Sequence, residues 1–295
     1  MRVDDHDVKL SAVGTPIFPE DGSTKGDLID YYARVADTML PHLRGRPVSM
    51  LRCPNGIEGR HFYQKQVPVY FPEWIHRAHV PMKKGGVKEM VVCDDAATLV
   101  YLANQLVLTP HVFLSREDKL QYPDRLIFDL DPPEGGFALV VRGALALRDL
   151  LREAGLTPFV MTTGSKGLHV TVPLVRTADF DEVRGFAQDI AAVLVERDPD
   201  CFTTAMSIAR RGDRLFIDTL RNSYAATAVP PYAVRPRRGA PVATPLEWNE
   251  LDDPKLTPQR YTLHNLFSRL KRLGDPWAEI ERHAGQIRTE RRKAA

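Results

Sequence analysis

A chain of 295 residues, 26% charged and 43% hydrophobic, is long enough for one large domain or two small ones and is ordinary for a globular protein. A net charge of +2 does not announce a nucleic-acid partner, so any such surface has to come from local clusters of Lys and Arg. There is no apolar run of about 18 residues and no charged-then-apolar leader, and Cys53, Cys93 and Cys201 are isolated, so a cytoplasmic protein with reduced thiols is expected, without disulfides or zinc.

Residues 1–23 lack periodicity and carry Gly14, Pro16, Pro19 and Gly22, which predicts an irregular arm with a short strand or two. Ser23-Thr24 then caps a helix, with Asp27 near its start and Leu28, Tyr32, Val35, Ala36 and Met39 at helical spacing; Pro41 and Gly45 close it. Residues 48–52 read as a strand and Pro54-Asn55-Gly56 as a turn. His61-Phe62-Tyr63-Gln64-Lys65 places two aromatics beside a cation, which suits base stacking and phosphate neutralisation, or a plain hydrophobic strand pair. Residues 81–88 form a basic loop with Gly85 and Gly86, whose Lys83, Lys84 and Lys88 suit a nucleic-acid backbone or a solvated hairpin. A helix is predicted over 95–106, followed by a short apolar strand that carries His111.

Leu126-Ile127-Phe128-Asp129-Leu130-Asp131-Pro132-Pro133 is an apolar run ending in two acids, the pattern of a buried strand that delivers carboxylates to its C-terminal end. Alternation puts Asp129 and Asp131 on one face, with Leu130 packed the other way. Two such carboxylates repel each other, and a divalent cation relieves the repulsion. Oxygen-only ligands favour a hard ion such as Mg²⁺ or Mn²⁺, while a polar strand end at a loop is the bland alternative.

An amphipathic helix is predicted over 138–154, ended by Gly155. Two β-rich runs over 159–172 flank Thr163-Gly164-Ser165-Lys166-Gly167, where close backbone approach, Ser165 and Lys166 suit phosphate oxygens or a hairpin turn without a ligand. The spacing is not that of a Walker P-loop, and a strand follows where that motif has a helix. After a helix over 180–198, residues 208–218 supply basic residues, a turn and an apolar strand ending in Asp218. Adjacent strands would bring the three carboxylates together, an arrangement that suits two-metal phosphoryl or nucleotidyl transfer. Arg221-Asn222 follows, and prolines stiffen the basic segment 229–238. Residues 247–258 read as a loop, 262–273 and 276–283 as amphipathic helices, and 288–295 as a frayed basic tail.

D-L-D at 129–131, T-G-S-K-G-L-H at 163–169 and F-I-D at 216–218, in this order, resemble the three signature motifs of the archaeo-eukaryotic primase superfamily, above all the polymerase domain of bacterial ligase D. Residues 23–32, Pro54-Asn55-Gly56, His111, Asn222-Ser223 and 233–235 also look like that family, so the resemblance spans nearly the whole chain. It implies a bipartite α/β (α+β) primase fold, an RRM-like catalytic sheet packed with an N-terminal α/β lobe. The expected single domain is 1–287, with lobes at 1–105 and 106–287. The implied activity is template-dependent nucleotidyl transfer that extends primers and fills short gaps with NTPs or dNTPs, using two ions, Mn²⁺ or Mg²⁺. Implied partners are gapped, nicked or broken DNA, Ku and a separate ATP-dependent DNA ligase, with no membrane and a monomeric state. The task would be non-homologous end joining or gap filling before ligation.

Carried over residue by residue, Asp129, Asp131 and Asp218 hold the metals and are catalytic. Arg52, His111, Thr163, Ser165, Lys166, Gly167, His169, Arg211, Arg221 and Arg235 surround the nucleotide, and Phe62 stacks on its base. Apart from that carry-over, Lys25, Lys65, Lys83, Lys84 and Lys88 are the expected DNA contacts. Ala12 and Thr15 stand where ligase D domains place the Asn and Lys of a 5′-phosphate pocket, and Leu51-Arg52-Cys53 replaces the basic pair and Trp before P-N-G. These departures predict a weakened phosphate anchor that rests on Lys25, in a stand-alone relative that leaves ligation to another protein. A metal-dependent phosphoesterase or nuclease, and a non-catalytic nucleic-acid-binding module, are the alternatives.

Overall fold

The computed structural model describes residues 1–82, 85–133 and 135–288; Lys83, Lys84 and the tail beyond Arg288 lie outside the described residues. The chain opens on two short ribbons, β1 (Arg2–Val3) with β2 (His6–Asp7) and β3 (Pro16–Phe18) with β4 (Ser23–Thr24). Helix α1 (Lys25–Met39) starts at a capping box, in which the Thr24 side chain accepts from the Asp27 amide and the Asp27 side chain from the Thr24 amide. Its apolar stripe packs on α2 (Ala96–Asn104) in the core of the N-terminal lobe.

That lobe supplies β5 (Pro47–Arg52), β6 (Phe62–Gln64), β7 (Arg77–Pro81), β8 (Val87–Val92) and β9 (Val107–Phe113). The chain continues with β10 (Arg125–Asp131), α3 (Phe137–Glu153), β11 (Phe159–Thr162), β12 (Leu168–Pro173), α4 (Phe180–Arg197), β13 (Phe202–Thr203) and β14 (Leu215–Asp218). Last come β15 (Thr227–Ala228), β16 (Thr244–Leu246) and α5 (Leu266–Leu273). Two six-stranded sheets result, one ordered β15-β9-β5-β8-β7 with β6 beside β5, the other β13-β14-β10-β12-β11-β16.

Alternation governs the second sheet. Leu126, Phe128, Leu130, Val170, Val172, Leu215 and Ile217 face α3 and α4 in one core. The intervening Asp129, Asp131, His169, Phe216 and Asp218 therefore share the opposite face. The lobes are not separated by a single cut at 105/106. Strands β9, with His111, and β15 belong to the N-terminal sheet, and Val229, Val234 and Trp277 pack in its core, so the chain crosses between lobes repeatedly. Fully buried Arg46 pairs with Asp124 at 2.7 Å at the first crossing.

The C-terminal helices are shorter than predicted. Helix α5 begins at Leu266 because the Asn265 side chain accepts from the Thr262 amide and Thr262 bridges to Pro241. Residues 276–283 form only a 3₁₀ turn, Ile280–His283, since Asp275 is held by His42, Tyr232 and the Trp277 amide. The loop expected over 247–258 contains a 3₁₀ helix, Trp248–Asp252.

One close approach fixes the turn between β11 and β12. A Cβ on Gly167 would stand 1.9 Å from the Leu130 carbonyl oxygen, so only glycine lets this turn lie against β10. Gly167→Ala is expected to destabilise the fold by about 1–3 kcal/mol through overpacking against backbone. Urea denaturation measures this, and an unchanged midpoint would show that the turn yields freely.

Candidate active site

Strand β10 pairs antiparallel with β14 so that Asp129 stands opposite Asp218, and with β12 so that Asp129 stands opposite His169. Asp131 lies two residues further on the same face, before the prolines end the strand. Directly opposed residues of such pairs sit about 4.5–5.5 Å apart at Cβ, close enough for their charges to be felt strongly. The register is extended beyond β14 by buried Asn222, whose side chain accepts from the Ile127 amide at 2.8 Å and donates to the Ile127 carbonyl at 2.7 Å. This side chain imitates a strand and places Arg221 over Asp129.

The three carboxylates differ in their surroundings. Asp129 is 7% exposed, with His169 Nε2 at 3.4 Å from one oxygen and Arg221 Nε donating to the other at 3.1 Å. Burial alone would raise its carboxyl, but His169 and Arg221 outweigh it and hold the group well below the usual carboxylate range. Asp131 has no such clamp. Burial, followed by the charges of Asp129 and Asp218, pushes it up to about 6. Burial also raises Asp218, with Asp129 adding to the effect against a hydrogen bond from the Leu220 amide.

A cavity of about 300 Å³ opens beside Asp129 and Asp131, bordered by His111, His169, Lys166, Arg221 and Arg235. Thr163, Ser165 and Gly167 form its turn. The buried Thr163 hydroxyl donates to the Gly167 carbonyl and accepts from the Ser165 and Gly167 amides, so it builds the turn and has no free capacity for a ligand. Ser165 and exposed Lys166 are left at the rim. Arg235 donates to the Thr163 carbonyl at 2.6 Å and stacks against Gly164, whose φ of +61° spares a side chain there. His111 is neutral, because burial and then the charges of Arg235, Arg221 and His169 drive its pKa well down.

The remaining expected contacts fall elsewhere. The ring on the cavity side of β6 is Tyr63, whose hydroxyl lies 3.5 Å from His111 Nε2. Phe62 and Arg52 are directly opposed on the other side of that strand pair, and Arg52 is spent on Gln64, Tyr70 and the Gln105 carbonyl. Arg211 donates to the Ala205 and Met206 carbonyls and lies 3.6 Å over the Phe216 ring, so it holds its own loop together. Lys25, expected at a DNA surface, is only 4% exposed, and its ammonium donates to the Ser11 carbonyl at 2.6 Å. Lys65 reaches the Ala225 carbonyl at 3.3 Å, half-buried near Lys88. Val229 and Arg237, which motif reading passed over, also border the cavity.

The donor set at the carboxylates fits a hard divalent cation: three anionic oxygens-only side chains, two of them strained by mutual repulsion. Among the described residues, the His/Asp/Glu trio whose ligating atoms all lie within 4.8 Å of one another is a different one, His76, Asp94 and Glu117. There Nδ1 faces Asp94 at 2.6 Å and Nε2 faces Glu117 at 3.2 Å, so the ring bridges two carboxylates and offers no common point for one ion.

The family described as LigD, primase-polymerase domain, matches residues 24–277. The multifunctional non-homologous end joining DNA repair protein LigD of Mycobacterium tuberculosis is 36% identical over 277 residues, covering 91% of this chain and 36% of that protein. The bifunctional LigD of Bacillus subtilis is 34% identical over 278 residues, covering 94% of this chain and 44% of that protein. The chain thus spans less than half the length of these relatives. A solved polymerase domain of Mycobacterium tuberculosis ligase D, in complex with DNA, superposes with a TM-score of 0.89 at 35% identity, covering 95% of this chain and 100% of that one. No helix among the described residues is long and apolar enough to cross a membrane.

The unequal carboxylates predict opposite effects of neutralising them. Asp131 keeps a proton in the folded, metal-free protein that the unfolded chain loses at about pH 4, so stability falls as pH rises from there to about 6. Asp131→Asn is expected to remove that fall and to stabilise the protein at pH 7. Asp129, held low, contributes stability that is present above about pH 4 and lost as pH falls below it. Asp129→Asn is expected to cost about 1–3 kcal/mol at pH 7 by leaving Arg221 and His169 without their partner. Denaturation in chelator measures both, and shifts of the same sign would contradict this electrostatic division.

Proposed function

The chain belongs to the LigD primase-polymerase domain family, a family of nucleotidyltransferases, and on that premise we propose that it is a template-dependent polymerase that extends primers and fills short gaps with NTPs or dNTPs in strand-break repair. The observation that carries the reading is the register setting Asp218 opposite Asp129, with Asp129 and Asp131 at a cavity rimmed by Lys166, Arg221 and Arg235. Carboxylates and cations meeting at one edge bring a polyphosphate against a metal-binding surface.

In this reading Lys166, Arg221, Arg235 and Ser165 receive the triphosphate, and neutral His111 meets it without adding charge. His169 and Arg221 keep Asp129 ionised and fixed, while Tyr63, on the cavity side in place of Phe62, faces the incoming nucleoside. Asp129, Asp131 and Asp218 would hold two Mn²⁺ or Mg²⁺ ions, which when bound neutralise phosphate charge and lower the pKa of the attacking hydroxyl. Overall, the 3′-oxygen of the primer bonds to the α-phosphorus as the α–β anhydride bond breaks, releasing pyrophosphate and one proton. Lys65 and Lys88, which lie near each other, would meet the DNA backbone in this reading. End joining with Ku, or gap filling ahead of a separate ATP-dependent ligase, are the two settings that such a polymerase fits.

A labelled primer on a one-nucleotide gap tests the activity. The expected product is one nucleotide longer with either ion, and Asp129→Ala or Asp218→Ala lowers the rate at least about a hundredfold. A shortened primer would make the protein a nuclease, and binding without turnover a non-catalytic module. In competition at equal concentration NTPs are expected to be used at least as well as dNTPs, because rejecting an added hydroxyl needs a dedicated steric or polar block.

A further inference from the structure

Arg235 enters the cavity from a segment that side chains of the N-terminal lobe hold in place. Its guanidinium makes one hydrogen bond among the described residues, from Nη1 to the Thr163 carbonyl, and its buried Nε has no partner. Where this arginine stands therefore depends on the main chain at 232–235, which no strand of either sheet contains.

Both main-chain groups of Val234, the residue before Arg235, are bound by hydroxyls from other elements. The Val234 amide donates to the Tyr32 hydroxyl of α1 at 3.1 Å, and the Val234 carbonyl accepts from the Thr109 hydroxyl of β9 at 2.6 Å. Tyr32 is 1% exposed, and Thr109 and Val234 are fully buried, so bulk solvent cannot replace either bond. The Tyr32 hydroxyl also donates to the Leu108 carbonyl at 2.5 Å. Strand β5 pairs Leu51 with Thr109 and Arg52 with Val107, which leaves Leu108 out of that ladder as a bulge. One hydroxyl thus joins a bulge in β9 to the segment that carries Arg235. Thr109 and His111 share a face of β9 by alternation, so the strand that brings His111 to the cavity also fixes Arg235.

The clamp continues at Tyr232, which stands at φ +67°, a strained conformation for a residue with a bulky side chain. Tyr31 donates to the Tyr232 carbonyl at 2.7 Å, and the Tyr232 hydroxyl donates to Asp275 at 2.5 Å. Such strain persists only where the surroundings over-determine the backbone, and it collects at ligand sites. Tyr32 and Thr109 do not themselves border the cavity, so any part they play is indirect.

We propose that Tyr32 and Thr109 are positioning residues for the triphosphate, fixing through the Val234 main chain where Arg235 stands in the cavity. The inference rests on the polymerase reading above and adds to it two residues that touch neither substrate nor metal. A guanidinium that drifts from its place loses a charge-assisted contact with phosphate, while DNA contacts elsewhere are untouched.

The test extends a primer on a one-nucleotide gap with wild type, Tyr32→Phe, Thr109→Val, Thr109→Ser, Arg235→Gln and Tyr32→Phe combined with Arg235→Gln. Each is assayed at a temperature where circular dichroism shows it folded. Tyr32→Phe is expected to raise the KM for nucleotide about tenfold, and the inhibition constant of inorganic tripolyphosphate with it, while the KM for DNA stays unchanged. Thr109→Val is expected to act in the same direction, and Thr109→Ser, which keeps the hydroxyl, to behave as wild type. Adding Tyr32→Phe to Arg235→Gln is expected to raise the nucleotide KM less than about twofold further, because both changes act through one contact. A loss of kcat with unchanged nucleotide KM, an equal rise in both KM values, or effects that multiply would each overturn the proposal.

Hydrogen exchange on wild type needs no variant. Bound tripolyphosphate is expected to slow the Val234 amide at least about threefold and to leave the Leu99 amide of α2 unchanged, because a ligand held by Arg235 opposes local release of that peptide. Equal slowing at both amides, or none at Val234, would defeat the clamp even if the substitutions melt early. A wild type that extends no primer defeats the polymerase reading and this inference with it, whereas extension without the split in KM defeats the positioning role alone.

Discussion

The mutual repulsion of Asp129, Asp131 and Asp218 is the constraint around which the catalytic lobe is arranged. Placing Asp129 opposite Asp218 where β10 and β14 pair gathers like charges in a partly buried site that solvent screens weakly. The fold answers by treating them differently. Asp129, the deepest, receives His169 from one neighbouring strand and Arg221 from just beyond the other, and stays ionised. Asp131 and Asp218 keep an unrelieved interaction that favours a proton or a cation. One fixed anion beside two responsive ones is an arrangement suited to a divalent cation.

Holding that edge requires both lobes. The N-terminal sheet supplies His111 through β9, and the chain returns to it at β15 before sending Arg235 into the turn at Thr163. Asn222 fixes the path between those events by copying strand hydrogen bonds to Ile127. Gly167 lets the turn approach β10 closely enough for Lys166 to share a cavity with Asp131. Each contact is local, yet together they mean that neither lobe can form the site alone.

Much of this was legible in the sequence because it depends on short-range rules. The alternation of Leu126 to Asp131 places two acids on one face whatever they pack against, and the Thr24/Asp27 cap is a property of four residues. What was not legible depends on which side of an element meets the rest of the chain. Alternation says that Phe62 and Tyr63 face opposite ways but not which faces His111. Lys25 has the composition of a surface cation, and only the folded arm reveals its burial against Ser11.

The N-terminal arm shows the same distinction between scaffold and ligand site. At Ala12, expected where the family's 5′-phosphate pocket has its Asn, the backbone sits at φ +47°, a conformation that asparagine or glycine adopts more readily. The Thr15 amide donates to the Ala12 carbonyl, the Lys25 amide to the Thr15 carbonyl and the Gly26 amide to the Val13 carbonyl, so main-chain bonds tie the arm to the start of α1. Lys25 completes the tie from its side chain, and burial lowers its pKa, which weakens the case for a charge aimed at solvent. The arm thus holds its shape through main-chain bonds and the buried Lys25. Any attraction for a nucleic-acid strand here would come from cations that remain exposed, and charge without a pocket binds a backbone anywhere along its length and does not single out its end.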